Sequence, residues 1–318
     1  MQPTAPVIER AAGDARTLGC SERASIWMRM TFRSVFPVIF AITVAGCAHV
    51  NRLPAAGSAG HPTTIQLSSY AGLLKSMSVT VAGVTHPFIF DTGGGETTIT
   101  PELASSIGCK PYGRAVGFRM SGEQVAFEYC DDVLLRLGDV PIAHDRVGVF
   151  DLKSILPRGA PLADGVVSLR SFRGQAVTVD LASDRITVET ARSLAERTAR
   201  MRPLMIRVAT GPTGAETTVY IAARVSGQRV WFLLDSGNGD PALVSAPVAR
   251  TAGLERGEGD TLIDFDGLGS LRLPVGTRNM IYDGVLGVGF MQDWIFTLDL
   301  NSARAWAARA PRPSSPNR

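Results

Sequence analysis

The stretch FIFDTGGGETTIT, residues 88–100, places an apolar strand directly before an aspartate and three glycines. Two explanations fit this pattern. The glycines can form a turn whose backbone N–H groups bind an anion such as a phosphate. Alternatively, Asp91 is the chemically active group, and the glycines present it on a tight turn. The rest of the chain decides between the two.

The same pattern occurs twice. Each copy has a Val-x-Gly turn, an apolar strand, Asp-Thr/Ser-Gly and a short helix opened by a proline. Two further segments recur downstream, and matched segments in one order indicate an internal duplication. The matched pairs are 81–109 with 225–254, 164–172 with 283–291, and 177–189 with 295–307.

The repeated feature is the acid and not the glycine turn. A P-loop needs a lysine after its glycines, and a dinucleotide site needs GxGxxG within a βαβ unit. Residues 93–95 satisfy neither requirement, and their counterparts 237–239 read Gly-Asn-Gly. Both copies keep an aspartate, a hydroxyl residue and a glycine: Asp91-Thr92-Gly93 and Asp235-Ser236-Gly237.

These motifs resemble the pepsin and retropepsin superfamily of aspartic proteases over about residues 66–308. In that family, two such turns face each other across a pseudo-twofold axis, and each is backed by a hydrophobic-hydrophobic-Gly segment. Residues 285–287 (Val-Leu-Gly) match this segment, and residues 166–168 (Val-Val-Ser) match it with serine for glycine. The resemblance implies an all-β, bilobed fold with closed-barrel lobes and a short helix after each turn. Short strand signals punctuated by glycine agree with it.

The resemblance also implies the chemistry. Asp91 and Asp235 would share a proton and hydrolyse peptide bonds through a water held between them, with no metal and no cofactor. Thr92 and Ser236 would lock the turns through hydrogen bonds across the lobes. The glycines after them, Gly93 and Gly237, would leave room for the two turns to approach.

Each acid also has a structural alternative. Asp91 and Asp235 could simply cap turns, since aspartate favours such positions. For Asp164 and Asp283, which recur as Asp-Gly turns before a strand, we expect that structural role. The four histidines are dispersed and there is no CxxC motif, so the sequence does not indicate a zinc site.

Residues 116–129 (VGFRMSGEQVAFEY) read as a β-hairpin. By the same resemblance its tip, Met120, Ser121 and Gly122, is a candidate flap that closes over a bound peptide. An ordinary hairpin turn is the alternative. A second hairpin is expected at 262–273, which leaves open whether one flap or two operate.

Two departures from the family pattern bear on the site. Family members often carry serine or threonine three positions after each catalytic aspartate, where this chain has Gly94 and Asn238. We therefore hypothesise that the acid pair titrates higher than that of pepsin and works at mildly acidic to neutral pH. Ser168 adds a hydroxyl beneath the first turn, where it is either accommodated or marks a lobe that has drifted from catalysis.

The N-terminus predicts export. A short apolar run, residues 35–44, ends in Val-Ala-Gly-Cys, which resembles the lipobox of bacterial lipoproteins and places lipidation at Cys47. An ordinary signal peptide is the alternative. In an oxidising periplasm, Cys109 and Cys130 could form a disulfide, although two buried free thiols would also fit.

The net charge of +3, without a basic stripe, gives no support for nucleic-acid binding. The leading function is a monomeric aspartic endopeptidase, lipid-anchored in the bacterial envelope, that acts on peptides or proteins. The alternatives are a catalytically inactive periplasmic lipoprotein that binds peptides or proteins and a structural envelope lipoprotein.

The sequence predicts six divisions of the chain. They are a leader (1–46, with an over-long start), a tether (47–65), an N-terminal lobe (66–190), a connector (191–202), a C-terminal lobe (203–308) and a tail (309–318).

Overall fold

A computed structural model describes residues 60–211, 214, 216–254 and 259–311 of the protein. The predicted leader, Cys47 and most of the tether and tail lie outside these residues. Across the described ranges, no helix is long and apolar enough to cross a membrane.

The predicted all-β, bilobed fold is confirmed. The first half of the described chain contains eleven strands and two α-helices. In chain order they are β1 (Thr63–Gln66), β2 (Ser68–Tyr70), β3 (Leu74–Val81), β4 (Val84–Phe90), β5 (Thr98–Ile99), α1 (Pro101–Ser106), β6 (Tyr112–Phe118), β7 (Gln124–Leu137), β8 (Val140–Val149), β9 (Gly165–Val167), β10 (Ala176–Asp180), β11 (Arg185–Glu189) and α2 (Ala191–Thr198).

The second half repeats this plan with fewer elements. They are β12 (Arg202–Leu204), β13 (Ile206–Ala209), β14 (Thr218–Val225), β15 (Gln228–Leu234), β16 (Ala242–Ser245), α3 (Ala246–Thr251), β17 (Gly259–Phe265), β18 (Gly269–Arg278), β19 (Gly284–Leu286), α4 (Val288–Met291), β20 (Trp294–Asp299) and β21 (Arg304–Arg309).

Each lobe is one sheet closed on itself. The first has the order β2-β3-β4-β9-β5-β8-β7-β6 and is closed by pairing of β3 with β7. The second has the order β13-β14-β15-β19-β16-β18-β17 and is closed by β14 with β17. Because β3 corresponds to β14 and β7 to β17, the two closures are equivalent.

A third sheet joins the lobes, in the order β1-β11-β10-β20-β21-β12. Its central pair, β10 and β20, is antiparallel and places Thr178 opposite Thr297, whose hydroxyl oxygens lie 2.8 Å apart. These two threonines occupy equivalent positions of the duplication. The pseudo-twofold axis therefore passes between them. The first strand of this sheet, β1, begins at Thr63, within the range predicted as tether.

The local sequence explains the elements next to the site. The last three residues of β4 and of β15 are buried, so each strand reads as a continuous apolar run before its aspartate. The helices predicted after Pro101 and around Pro247 form as α1 and α3, capped by the hydroxyls of Thr100 and Ser245. The segment predicted as the connector, residues 191–202, contains α2.

In each lobe a short central strand passes between two others. In the first lobe, β9 runs parallel to β4 and antiparallel to β5; in the second, β19 runs parallel to β15 and antiparallel to β16. The strands begin at Gly165 and Gly284. A β-carbon at either glycine would overlap the ring of Phe88 or of Phe232. Close packing on an aromatic ring thus explains why each recurring Asp-Gly pair has glycine at its second position.

Substitution Gly165→Ala tests this packing. The added methyl group would also meet the carbonyl oxygen of Thr98, so the backbone must shift. We expect the free energy of unfolding to fall by about 1–3 kcal/mol, measured by denaturant unfolding. Gly239→Ala is the matched control, because a β-carbon there has no neighbour within 4 Å. Equal stability of the two variants would contradict the packing argument.

Candidate active site

The structure brings Asp91 and Asp235 together at the junction of the lobes. Each aspartate follows its strand directly and donates its backbone N–H to the central strand, Asp91 to Val167 O at 3.0 Å and Asp235 to Leu286 O at 2.9 Å. Each carboxylate then accepts the N–H of the glycine two residues on, at 2.9 Å. The two turns therefore have the same geometry.

The glycines of the two turns show how close the acids are. A β-carbon at Gly93 would lie 2.5 Å from Cγ of Asp235, and a β-carbon at Gly237 would lie 2.6 Å from Cγ of Asp91. Real β-carbons do not approach so closely. Glycine is therefore required at both positions, because the opposite carboxyl group occupies the space of a side chain.

Thr92 and Ser236 hold the turns together through four buried hydrogen bonds. The Thr92 hydroxyl donates to Leu234 O (2.8 Å) and accepts the N–H of Ser236 (3.0 Å). The Ser236 hydroxyl donates to Phe90 O (3.0 Å) and accepts the N–H of Thr92 (3.0 Å). Both side chains are fully buried. The hydrogen bonds are symmetric, and they fix the separation of the two carboxyl groups.

The pair binds a proton more tightly than isolated carboxyls do. Burial raises the pKa of Asp235 well above its usual value, and the neighbouring charge of Asp91 raises it further. Burial also raises the pKa of Asp91, but backbone N–H groups of Gly93, Gly94 and Gly237 oppose this effect. Because Asp91 receives more donors, the asymmetry favours the charge on Asp91 and the proton on Asp235. Both residues remain partly exposed, so water can reach them.

The first departure from the family pattern has a structural counterpart. A β-carbon at Gly94 would lie 2.9 Å from Oδ2 of Asp91, so a side chain fits poorly there. The backbone N–H of Gly94 nevertheless lowers the pKa of the Asp91 carboxyl group. In the second lobe, the Asn238 side-chain oxygen accepts the N–H of Asp240, and its amide nitrogen is buried without a partner among the described residues.

Ser168 is accommodated. Its hydroxyl donates to Gly95 O (2.9 Å) and accepts the N–H of Arg170 (3.2 Å), which caps the 3₁₀ turn Leu169–Phe172. Thr97 adds a further contact at 3.1 Å. In the second lobe a β-carbon at Gly287 would overlap the carbonyl oxygen of Asp240. The two lobes thus differ beneath the turns, and Ser168 holds the first turn in place.

The predicted hairpin forms from β6 and β7, and its tip reaches the second lobe. Ile281 donates its backbone N–H to Met120 O at 3.1 Å, and a β-carbon at Gly122 would lie 3.1 Å from Cγ2 of Ile281. The Met120 side chain packs on a second-lobe cluster that includes Leu233 and Met280. The hairpin therefore bridges the cleft between the lobes.

The second predicted hairpin also forms, from β17 and β18, but it has a different position. It corresponds to β7 and β8, and its tip at Gly267 packs against Pro203 and Leu204. The counterpart of β6 does not occur among the described residues of the second lobe. The segment between the first two matched elements is longer in the first copy (residues 110–163, against 255–282 in the second), and β6 accounts for part of the difference. Only one hairpin in the described part of the chain reaches across the cleft.

The remaining candidates have structural surroundings. The Asp164 carboxylate lies 2.9 Å from the ring nitrogen Nδ1 of His86, and the Asp283 carboxylate accepts the backbone N–H of Trp231. Cys109 and Cys130 form a disulfide, with Cα atoms 6.0 Å apart, that ties the end of α1 to β7 at the base of the cleft-bridging hairpin. In the described ranges, no group of three or more His, Cys, Asp or Glu residues could hold a metal ion.

Sequence reasoning missed three residues beside the acid pair. The rings of Tyr220 and Tyr282 lie 6.1 Å apart and pack on the same cluster as Met120. Burial raises the pKa of Tyr282 to about 12, with smaller effects from the charges of Asp235, Glu216 and Asp91. The only signal for Tyr282 was its position directly before the recurring Asp-Gly pair; Tyr220 and Glu216 had none.

No family model matches the sequence, and no curated protein matches it. Solved structures match the fold. The crystal structure of basic 7S globulin from soybean has a TM-score of 0.50 at 10% identity, covering 78% of this chain and 95% of that chain. Conglutin gamma, a basic 7S globulin from lupine seeds, has a TM-score of 0.51 at 10% identity, covering 78% and 94%. An aspartic proteinase from Irpex lacteus has a TM-score of 0.50 at 12% identity, covering 78% and 97%.

These likenesses show a pepsin-like fold. They include a proteinase and two globulins, so the fold by itself does not decide activity.

Substitution Thr92→Val tests the hydrogen bonds between the turns. Valine keeps the shape but leaves Ser236 N–H and Leu234 O without partners in a buried place. We expect a loss of about 1–3 kcal/mol in the free energy of unfolding, measured by denaturant titration. Thr85→Val, which alters an exposed hydroxyl pair, is the control and should change stability by less than about 0.5 kcal/mol. A loss no larger than that of the control would refute the assigned role.

The raised pKa of Asp235 predicts a pH-dependent stability. The folded state binds this proton more tightly than the unfolded state does, so its stabilisation is complete below the unfolded pKa of about 3.9 and is lost as pH rises through the folded pKa. Asn cannot titrate. We therefore expect Asp235→Asn to be more stable than the wild type at pH 7 and to lose this advantage near pH 3. Parallel stability curves for the two proteins, measured by denaturant unfolding from pH 3 to 7, would contradict the assignment.

Proposed function

We propose that this protein is an aspartic endopeptidase. The observation that carries the proposal is the contact of the Asp91 and Asp235 carboxyl groups, held by the reciprocal hydrogen bonds of Thr92 and Ser236. If Asp91 and Asp235 only capped their own turns, neither carboxyl group would have to lie against the opposite turn. Glycine would then not be required at positions 93 and 237. The likeness to a proteinase of the same fold agrees with the proposal.

The geometry supports a water-mediated mechanism. A water between the carboxyls loses a proton to Asp91 while its oxygen attacks the carbonyl carbon of the peptide, and Asp235 gives its proton to the carbonyl oxygen. The resulting tetrahedral diol then collapses. Asp91 passes its proton to the amide nitrogen, a diol hydroxyl returns a proton to Asp235, and the C–N bond breaks. The acid pair ends in its initial state.

The hairpin formed by β6 and β7 would serve as the flap over the substrate. It already bridges the cleft through Met120 and Ile281, so that bridge must open for a peptide to enter. An extended peptide beneath it would bind by backbone hydrogen bonds, in the manner of an added strand.

We also propose that the protein is exported and held at a bacterial envelope membrane by lipid on Cys47. The lipobox-like residues 44–47 support this assignment. A disulfide between Cys109 and Cys130 suits an oxidising compartment.

A second candidate is a peptide-binding protein of the same fold without catalysis. The two structural neighbours named as globulins favour it. It uses the same cleft and flap and predicts peptide binding that survives removal of either aspartate.

Cleavage of a quenched peptide library, assayed between pH 4 and 7, tests the proposed activity. Asp91→Asn and Asp235→Asn should each lower kcat/KM by about 10²–10⁴-fold or more, because the acid pair needs both a proton acceptor and a proton donor. Asp260→Asn changes an exposed aspartate of β17 and should retain activity. Equal turnover by the wild type and both active-site variants would reject the peptidase, and binding without any cleavage would favour the second candidate.

A further inference from the structure

Glu216 packs against the first active-site turn. It precedes β14, and the next residue, Thr217, donates its N–H to Gly95 O at 3.0 Å. A β-carbon at Gly95 would lie 3.4 Å from Cβ and Cγ of Glu216, and one at Gly211 would overlap its carboxyl group. Gly95 and Gly211 both have positive φ, +67° and +60°. Because both residues are glycines, no side chain fills the space in which the Glu216 carboxyl group lies.

The carboxyl group of Glu216 has no counter-ion among the described residues. It is half-buried and makes no hydrogen bond or ion pair with them, and burial raises its pKa. Two arginines on this side of the first lobe already bind other groups. Arg170 pairs with Glu96 at 3.1 Å, both buried, and Arg173 donates to Gly214 O at 2.9 Å. A carboxylate that has lost part of its hydration without a cation is stabilised when a cation arrives.

Glu216 also shares the surroundings of the acid pair. Its charge and those of Asp235 and Asp91 all act on Tyr282, and its charge also acts on Tyr220. The two tyrosine rings are 6.1 Å apart. Aromatic faces beside a carboxylate suit a guanidinium or an ammonium group, because cations are attracted to the ring face.

We propose that Glu216, with Tyr220 and Tyr282, forms a subsite of the cleft that selects an arginine or lysine side chain of the substrate. This inference rests on the proposed peptidase function, since it assigns a specificity to that cleft. Glu216 acts here as a specificity residue and takes no part in proton transfer.

The test uses quenched peptides that are identical except for Arg, Gln or Glu at one varied position, scanned along the peptide. The wild type should cleave the best Arg peptide about 10–100-fold faster, by kcat/KM, than its Gln counterpart, as expected for a charged hydrogen bond. Glu216→Gln, which keeps the shape, should bring this ratio close to 1 while changing kcat/KM on the Gln peptide less than about threefold. Glu216→Arg should reverse the preference toward the Glu peptide.

Glu196→Gln is the matched control, because Glu196 is exposed on α2 and, within the described ranges, forms an ion pair with Arg192 alone. It should keep the wild-type ratio. An unchanged Arg-to-Gln ratio in Glu216→Gln, or no preference in the wild type at any position, overturns the subsite while the peptidase stands.

Binding separates the two proposals. Affinity for labelled Arg and Gln peptides, measured by fluorescence anisotropy on Asp91→Asn, needs no turnover. A Glu216-dependent preference for Arg in binding, without cleavage by the wild type, supports the subsite and rejects the peptidase. Equal affinity for the two peptides rejects the subsite.

Discussion

The structure depends on one constraint: two like-charged groups must be held in contact at the junction of two lobes. Carboxyls this close repel each other once both ionise, and the folded state must offset that cost. Thr92 and Ser236 meet this requirement because each hydroxyl accepts the other residue's N–H and donates to the last carbonyl of the opposite lobe's strand, Leu234 O or Phe90 O. Buried hydrogen bonds of this kind are costly to leave unmade. The glycine that follows each hydroxyl residue then admits the opposite acid.

The symmetry of the turns ends directly beneath them. In the first lobe, Ser168 donates to the carbonyl of Gly95, and the buried pair of Glu96 and Arg170 lies next to it. In the second lobe, Gly287 lies against the backbone of Asn238 and Asp240. The same asymmetry extends above the turns, because the first lobe carries the cleft-bridging hairpin. Duplication thus preserved the acid pair, while the supports of each copy diverged.

The sequence predicted the fold and the acid pair because the Asp-Thr/Ser-Gly motif is repeated and because the two copies resemble the turns of aspartic proteases. Two copies of Asp-Thr/Ser-Gly with ordered partners require a shared geometry, and the apolar strands before them identify the lobes. The hairpin of β6 and β7 was predicted from two strand-like runs on either side of residues 120–123. Other features depend on distant contacts that no local pattern encodes. The accommodation of Ser168 and the position of Glu216 beside Gly95 both arise where separate segments meet in the folded chain.

The interlobe sheet couples the unfolding of the two halves. Each half contributes three strands, and the five residue pairs of β10 and β20 are the seam between them. Separating the halves would expose two long, unpaired strand edges as well as the hydroxyls of Thr178 and Thr297. The halves are therefore expected to melt as a single cooperative unit, and a proteolytic nick within α2 would leave them associated.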